Sequence, residues 1–542
     1  MASTRRVFLA TSGATLASLS AWPSLRPRRV VHDLVIRGGM LYDGLGGPGV
    51  LRDVAISKGR VVEIAQRISD GGREEIRAAD RVVAPGFIDI HSHGDGTLEQ
   101  DPRAESVIRQ GITTIVVGQD GDSRAVGIDD RSFASMFAAI DRGAPSVNVA
   151  AMIGLGSVRG RVIGANDRPA TGVELATMTA MVERALQEGA CGASSGLEYT
   201  PGAFASLDEL IALCRPLASR RLPYATHMRN EDDRLVAAVD EAIAVAQGAG
   251  CPLQISHLKT QGPRNWGNLD VVFARIASAR HRGLDIAFDR YPYLAYQTGL
   301  TNLFPVWSRD GGTDAFLARL ADSVTASRVR QEALDKVALI GGWDNVLVTG
   351  VRAAEDSAVV GQRLGGVAAS RGIDPYDLAI GLLRRSRGNV GMVGFAMSET
   401  NLERILAHPL GMVCSDGGAV ALDGPARRGS PHPRSLGTFP RVLGRYVRER
   451  KVLTLEQAIH KMTAQPADRV QLRDRGRLVV GAAADVVVFD PATVADRASY
   501  EAPFQYPVGI DTVIVNGAIT LAGGERRGSG RGTSLRPRVA RR

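Results

Sequence analysis

Val82-Val83-Ala84-Pro85-Gly86-Phe87-Ile88-Asp89-Ile90-His91-Ser92-His93-Gly94-Asp95 is an apolar run that ends in two histidines one residue apart. Residues two apart on a strand point the same way, so His91 and His93 can present both imidazoles to one point. Neutral imidazole is the commonest metal ligand. The alternative is a strand-end pair packed in a polar loop, but two of only nine histidines stand here, which weighs toward metal. Pro85-Gly86 opens the run as a turn, which predicts a buried strand approached sharply from another element.

On the C-terminal side of this stretch, short apolar strands alternate with helical segments, the pattern of βα units. Eight strands are predicted: Phe87–His91, Thr113–Val117, Val147–Ile153, Cys191–Ser194, Pro223–His227, Pro252–His257, Asp285–Asp289 and Gly411–Ser415. Asp232 to Gly248 reads as an amphipathic helix with Leu235, Val239 and Ile243 at four-residue steps and acidic residues in its first turn. Eight such units predict an α/β fold, a (β/α)8 TIM barrel with its active site at the C-terminal strand ends. The interval from about 296 to 400 is too long for one loop and predicts an inserted, partly helical lid or subdomain. Segments Asp33–Asp43 and Val54–Ile64 read as strands with no helix between them, so they do not fit a parallel barrel. Ala484–Asp490 and Val513–Gly517 are similar, and together they predict one small β-sandwich domain built from both ends, 31–84 and 476–525, around a barrel at 85–475.

Polar residues with ligand chemistry end the predicted strands. Strand one ends in His91 and His93, and strand two runs into Gln119-Asp120-Gly121-Asp122. Strand five ends in His227, followed by Arg229, and strand six ends in His257, followed by Lys259. Strand eight ends in Asp416. A single strand-end histidine is usually structural, but four histidines and two carboxylates at one rim point to a metal site. The donors are nitrogen and oxygen, which fits zinc first, with manganese, cobalt or iron as alternatives. A catalytic ion needs an open position for water, whose pKa zinc lowers to about 7.

At 542 residues, 44% hydrophobic and 23% charged, the chain has an ordinary globular composition. No apolar run reaches the ~20 residues that span a bilayer. Ser3-Thr4-Arg5-Arg6-Val7-Phe8-Leu9 and the weakly apolar stretch after it read as a twin-arginine (Tat) export signal within 1–30, which places the mature protein in a bacterial periplasm or outside the cell. The four cysteines show no paired spacing and read as small buried residues. Much of the net charge of +9 sits in the arginine-rich ends, and 526–542 reads as a flexible basic tail. That tail has no aromatic residue to stack on bases, which argues against nucleic acid as a partner.

The histidine stretch, with Gly196-Leu197-Glu198-Tyr199-Thr200-Pro201-Gly202, Asp289-Arg290-Tyr291-Pro292-Tyr293 and His432-Pro433-Arg434-Ser435-Leu436-Gly437-Thr438-Phe439-Pro440-Arg441, resembles the amidohydrolase superfamily and within it the D-aminoacylases. The resemblance covers about 33 to 535 and implies metal-dependent hydrolysis of N-acyl-D-amino acids with one or two zinc ions. It implies His91, His93, Asp120, His227, His257 and Asp416 as metal ligands, and Asp416 as the base that takes the water's proton and delivers it to the leaving nitrogen. Lys259, Arg229, Tyr199 and Tyr293 are the candidates for holding substrate, with salt-bridge or supporting roles as the alternative. Two positions depart from the family. Asp120 stands where the family's metal-binding cysteine would be, and Leu155 stands where it usually has a histidine. Another amide hydrolase, acting on dipeptides, cyclic amides or a secondary metabolite, is the neighbouring reading. The Cys191–Ser194 strand offers no lysine for the carboxylated bridge of hydantoinase-type relatives. A non-catalytic binding protein would be expected to have lost Asp416 or a ligand, and this chain keeps all four histidines and Asp416.

Overall fold

The computed structural model describes residues 29–128 and 132–538; the twin-arginine stretch expected to direct export lies outside these residues. The chain starts with β1 (Val30–Leu41), β2 (Val50–Ser57), β3 (Arg60–Ala65), β4 (Gly71–Arg77) and β5 (Val82–Pro85). Lys58-Gly59 turns β2 into β3, both residues at positive φ, as a tight hairpin requires. β1 is shared lengthwise. Its first part pairs with β4, its last two residues pair with β5, and a register shift separates the two.

The barrel strands follow: β6 (Phe87–Asp89), β7 (Ile112–Val117), β8 (Asn148–Ala151) continued by β9 (Ile153–Gly154), β10 (Ala193–Gly196), β11 (Tyr224–His227), β12 (Leu253–Ile255) and β13 (Ile286–Arg290). Every one is paired in parallel with its neighbour. Between β13 and the last barrel strand lies an insertion with an antiparallel sheet of β14 (Ala295–Gly299), β15 (Val346–Val351) and β16 (Val390–Phe395). Four helices of the same interval, Gly312–Arg319, Ser323–Leu339, Leu364–Arg371 and Pro375–Arg385, accompany it. β17 (Gly411–Val413) then pairs with β13, and a bridge between Ser92 and Gly417 closes the ring. All eight strands expected from the sequence are present within a few residues, because each is a short, fully buried run bounded by turn residues.

The chain ends in β18 (Val486–Phe489), β19 (Ile510–Val515), β20 (Ala518–Ala522) and β21 (Glu525–Arg526). β18 pairs antiparallel with β5, so one nine-stranded sheet draws on both ends of the chain. Leu34, Ile36, Val54, Ile56, Val486, Val488 and Ile514 form its core. The four cysteines are buried and free. No helix among the described residues is long and apolar enough to cross a membrane.

Two expectations need correction. The stretch read as a flexible basic tail is packed as far as Arg538. The Val149 amide donates to the Thr533 carbonyl, the Leu535 amide donates to the Val149 carbonyl, and Leu535 is 9% exposed. Ser534 donates to Asp141, and Arg538 donates to Asp474 at 2.7 Å. High arginine content masked a segment that adds backbone pairing to β8. The helix read as starting at Asp232 starts at Leu235, with no acidic residue in its first turn. Asp232 and Asp233 are taken instead by Lys336 and Arg264. Leu235, Val239 and Ile243 are its buried face, as their spacing predicts.

Candidate active site

The C-terminal strand ends surround a cleft of about 920 Å³. Asp120, in the turn after β7, is its centre. Its Oδ1 lies 3.4 Å from His91 Nε2 and 3.5 Å from His257 Nε2. Its Oδ2 lies 3.4 Å from His93 Nε2 and 3.9 Å from His227 Nδ1. One carboxylate therefore faces four imidazoles, two per oxygen. Asp416 Oδ1 stands 3.1 Å from His93 and 3.6 Å from His91. Asp120, His257 and Asp416 all have φ between 35° and 54°, the left-handed region that costs a non-glycine residue energy. Such strain persists where the surroundings over-determine it, and here it gathers at three side chains aimed at one point. The turn can come this close because residue 196 is glycine; a Cβ there would strike the Asp120 carbonyl.

Burial opposes the charge on Asp120, yet the imidazoles of His91 and His257 hold its carboxyl well below the ordinary range. Burial likewise opposes the charge on Asp416, and Arg434 first, then His257, keep that carboxylate ionised. The Arg434 guanidinium donates to Asp416 Oδ2 at 2.7 Å. The site is thus a buried anionic pair within a ring of imidazoles.

His91, His93, Asp120 and Asp416 each offer one ligand atom, and these atoms lie within 4.8 Å of one another; Asp120, His227 and His257 do the same. Both nitrogens of His91 and Oδ1 of Asp120 are buried without a hydrogen-bond partner. Buried polar atoms are normally satisfied, so this donor set fits a divalent ion, or two ions sharing Asp120.

Carboxylates flank the histidines on the outside. His91 Nδ1 faces Asp289 Oδ1 at 3.6 Å. His257 Nδ1 lies 3.1 Å from Glu231 Oε1, and Lys259 Nζ lies 2.6 Å from the same oxygen. His227 Nε2 faces Glu198 Oε2 at 3.4 Å.

All six expected ligands come together. Of the four residues expected to hold substrate, Lys259 and Tyr199 line the cleft. Arg229 does not reach it. Its guanidinium is spent on Glu241 at 2.9 Å and on the carbonyls of Ala203 and Ala205, on a second cleft across Glu198. Tyr293 is also withdrawn, 3% exposed, with its hydroxyl toward the Pro433 carbonyl and Asp496. Residues just past a strand end turn either way, and spacing alone does not say which. Leu155, the second departure from the family pattern, is buried in the core and does not line the cleft.

Four residues were not picked out from the sequence. Arg434 and Tyr291 line the cleft, and Glu198 and Glu231 support the histidines. Three of them sit in the stretches quoted above for the family resemblance, but only the fold tells which member of each stretch points inward. The Tyr291 hydroxyl is buried without a partner among the described residues, and the Arg434 guanidinium carbon lies 4.8 Å over its ring.

With this geometry the chain belongs to the amidohydrolase family, whose pattern matches residues 74–521. This family acts on carbon–nitrogen bonds other than peptide bonds. The chain is 38% identical over 501 residues, 90% of its length and 93% of the relative's, to N-acyl-D-glutamate deacylase of Alcaligenes xylosoxydans xylosoxydans. The crystal structure of N-acyl-D-glutamate deacylase from Bordetella bronchiseptica with zinc and a phosphonate inhibitor superposes with TM-score 0.80 at 36% identity, covering 93% of this chain and 99% of that one. A D-aminoacylase structure described for its binuclear metal centre superposes at 0.79 with 34% identity, over 93% and 100% of the two chains.

Proposed function

We propose that this protein hydrolyses the amide bond of N-acyl-D-amino acids with the help of one or two divalent ions, zinc foremost. The observation that carries this reading is Asp120, whose two oxygens each face a pair of imidazoles beside a cleft with buried cationic and hydroxyl groups. His91, His93, Asp120 and Asp416 would hold one ion, and Asp120, His227 and His257 another. Bound there, a divalent ion supplies a polarising centre for the amide carbonyl and an acidified water.

The chain's own groups do the rest. Arg434, Lys259 and the partnerless Tyr291 hydroxyl form a cradle for the substrate's free carboxylate, and Arg434 is the strongest member because its planar fork matches that group. Lys259 stays charged although burial works against it, because Glu231 stands beside it. Asp416 accepts the proton of the attacking water at Oδ1 and returns it to the leaving nitrogen, which leaves poorly unless protonated. Pairing with Arg434 makes Asp416 a weak base. A substrate carboxylate on Arg434 shares that charge and restores basicity at the moment it is needed. Tyr199, with its hydroxyl accepting from Thr298 at 3.3 Å, closes the side of the cleft over His227.

The preference for D-amino acids is supported by the relatives, named N-acyl-D-glutamate deacylase and D-aminoacylase. Export by the twin-arginine route is supported by the pair Arg5-Arg6 and the weakly apolar stretch after it. The test is amino-acid release from N-acetyl-D-glutamate, N-acetyl-D-aspartate and N-acetyl-D-methionine, their L forms, and an N-acetyl amine without a carboxylate. D-selective release that requires the carboxylate supports the reading. Equal turnover of the amine overturns the cradle, and L-selective release overturns the substrate class.

A further inference from the structure

The outer nitrogen of His227 faces a carboxylate that the insertion in turn holds. His227 Nδ1 faces Asp120, and its Nε2 faces Glu198 Oε2 at 3.4 Å. Glu198 is 5% exposed and sits just after β10. The insertion grips its side chain twice and its backbone once. Asn302 Nδ2 donates to Oε2 at 3.0 Å, and Lys336 Nζ, on the helix Ser323–Leu339, lies 3.6 Å from Oε1. Arg309 Nη2 donates to the Glu198 carbonyl at 3.0 Å. Lys336 is itself fixed by Asp232 at 2.6 Å.

Glu198, His227 and Glu231 also form a third group of potential ligands. Their carboxylates already have ammonium partners, Lys336 for Glu198 and Lys259 for Glu231. Two lysines beside three donors leave little need for another cation. The arrangement suits support of a histidine whose other nitrogen faces the centre: a carboxylate receives the ring N–H, fixes the tautomer, and leaves the opposite lone pair free.

We propose that Glu198 is a positioning residue for His227, and that Asn302 and Lys336 couple the inserted segment to metal affinity through it. This rests on the metal-site reading above. Glu198 takes the Nε2 proton in a hydrogen bond, and Nδ1 stays a lone-pair donor toward the cleft. Loosening the insertion at Lys336 therefore loosens His227, although Lys336 touches no candidate ligand atom in the centre.

The experiment is a Co²⁺ titration of the apoprotein followed by visible absorption, with circular dichroism to check folding. Glu198→Ala should weaken binding about 10–100-fold, Glu198→Gln should recover most of that loss by keeping an acceptor oxygen, and Lys336→Met should weaken binding less than Glu198→Ala. In a His227→Ala background Glu198→Ala should have no further effect, because the two act as one unit. An equal loss in that background, or native affinity in Glu198→Ala while the native protein binds Co²⁺, overturns the proposal. If Glu198→Ala fails to fold, Lys336→Met decides: native Co²⁺ affinity in that variant overturns the coupling. If the native protein itself binds no Co²⁺, the metal reading falls and this proposal with it.

Discussion

Asp120→Asn is the sharpest perturbation of the site. It keeps the shape of the side chain and removes one charge, at the residue common to two of the three groups of ligand atoms. The magnitude follows from the surroundings. Asp120 is half-buried among four imidazole nitrogens at 3.4–3.9 Å. A unit charge pair about 4 Å apart in a protein site of effective dielectric about 20 is worth roughly 4 kcal/mol. At about 1.4 kcal/mol per decade this is a loss of about three decades in metal affinity. The imidazoles that hold the Asp120 carboxyl low stabilise its charge in the folded state, so at neutral pH Asp120→Asn should cost the metal-free fold some stability without unfolding it. The assay is competition against a chromophoric chelator, with thermal unfolding of the apoprotein alongside. Native affinity in Asp120→Asn would show that Asp120 is only a loop carboxylate and would refute the shared-ligand argument. A collapse of apoprotein stability would instead assign it a structural role.

Three other outcomes are expected. Tyr291→Phe removes a buried hydroxyl that has no partner among the described residues, so steady-state kinetics should show KM raised about 2–10-fold with no loss of thermal stability. Arg229→Met should leave KM unchanged, because this arginine serves Glu241 and two carbonyls and not the cleft, and denaturant titration should show a loss of about 2–3 kcal/mol. Lys461 donates to the carbonyls of His408 and Gly411, and burial lowers its pKa from 10.5 to about 8. Below pH 8 the native state carries the whole cost of its buried charge. As pH rises from 8 to 10.5 the folded lysine loses its proton before the unfolded one does, so stability rises across that window by up to roughly 3 kcal/mol. Unfolding of the native protein against Lys461→Met at pH 7 and pH 10 reads this difference, and a flat difference would refute it.

The barrel was legible because fully buried parallel strands leave short apolar runs, and Phe87–Asp89 or Ile286–Arg290 can hardly be read otherwise. The residues that gather at the cleft were legible because each strand ends at the same rim, which turns separate histidines into one cluster. The sheet made from both chain ends followed from strands with no helix between them, and β18 beside β5 completes it. What stayed hidden depends on direction and on distant partners. Arg229 is two residues past His227 and Lys259 two past His257, yet Glu241 turns the first away and Glu231 keeps the second in place. Nothing local marks Thr533–Leu535 as a strap on Val149, nearly four hundred residues away in sequence. The coupling of Lys336 to Glu198 likewise exists only once the insertion has folded over the barrel mouth.

The central claim is that hydrolysis depends on ions held by His91, His93, Asp120, His227, His257 and Asp416. The direct measurement is metal content of the purified protein by elemental analysis, with N-acetyl-D-methionine and N-acetyl-L-methionine turnover before chelation, after it, and after zinc is restored. The account predicts one or two ions per chain, D-selective release of the amino acid, its loss on chelation and its return with zinc. Turnover that survives complete removal of metal, or a chain that binds no ion at any concentration of zinc, manganese, cobalt or iron, would contradict it.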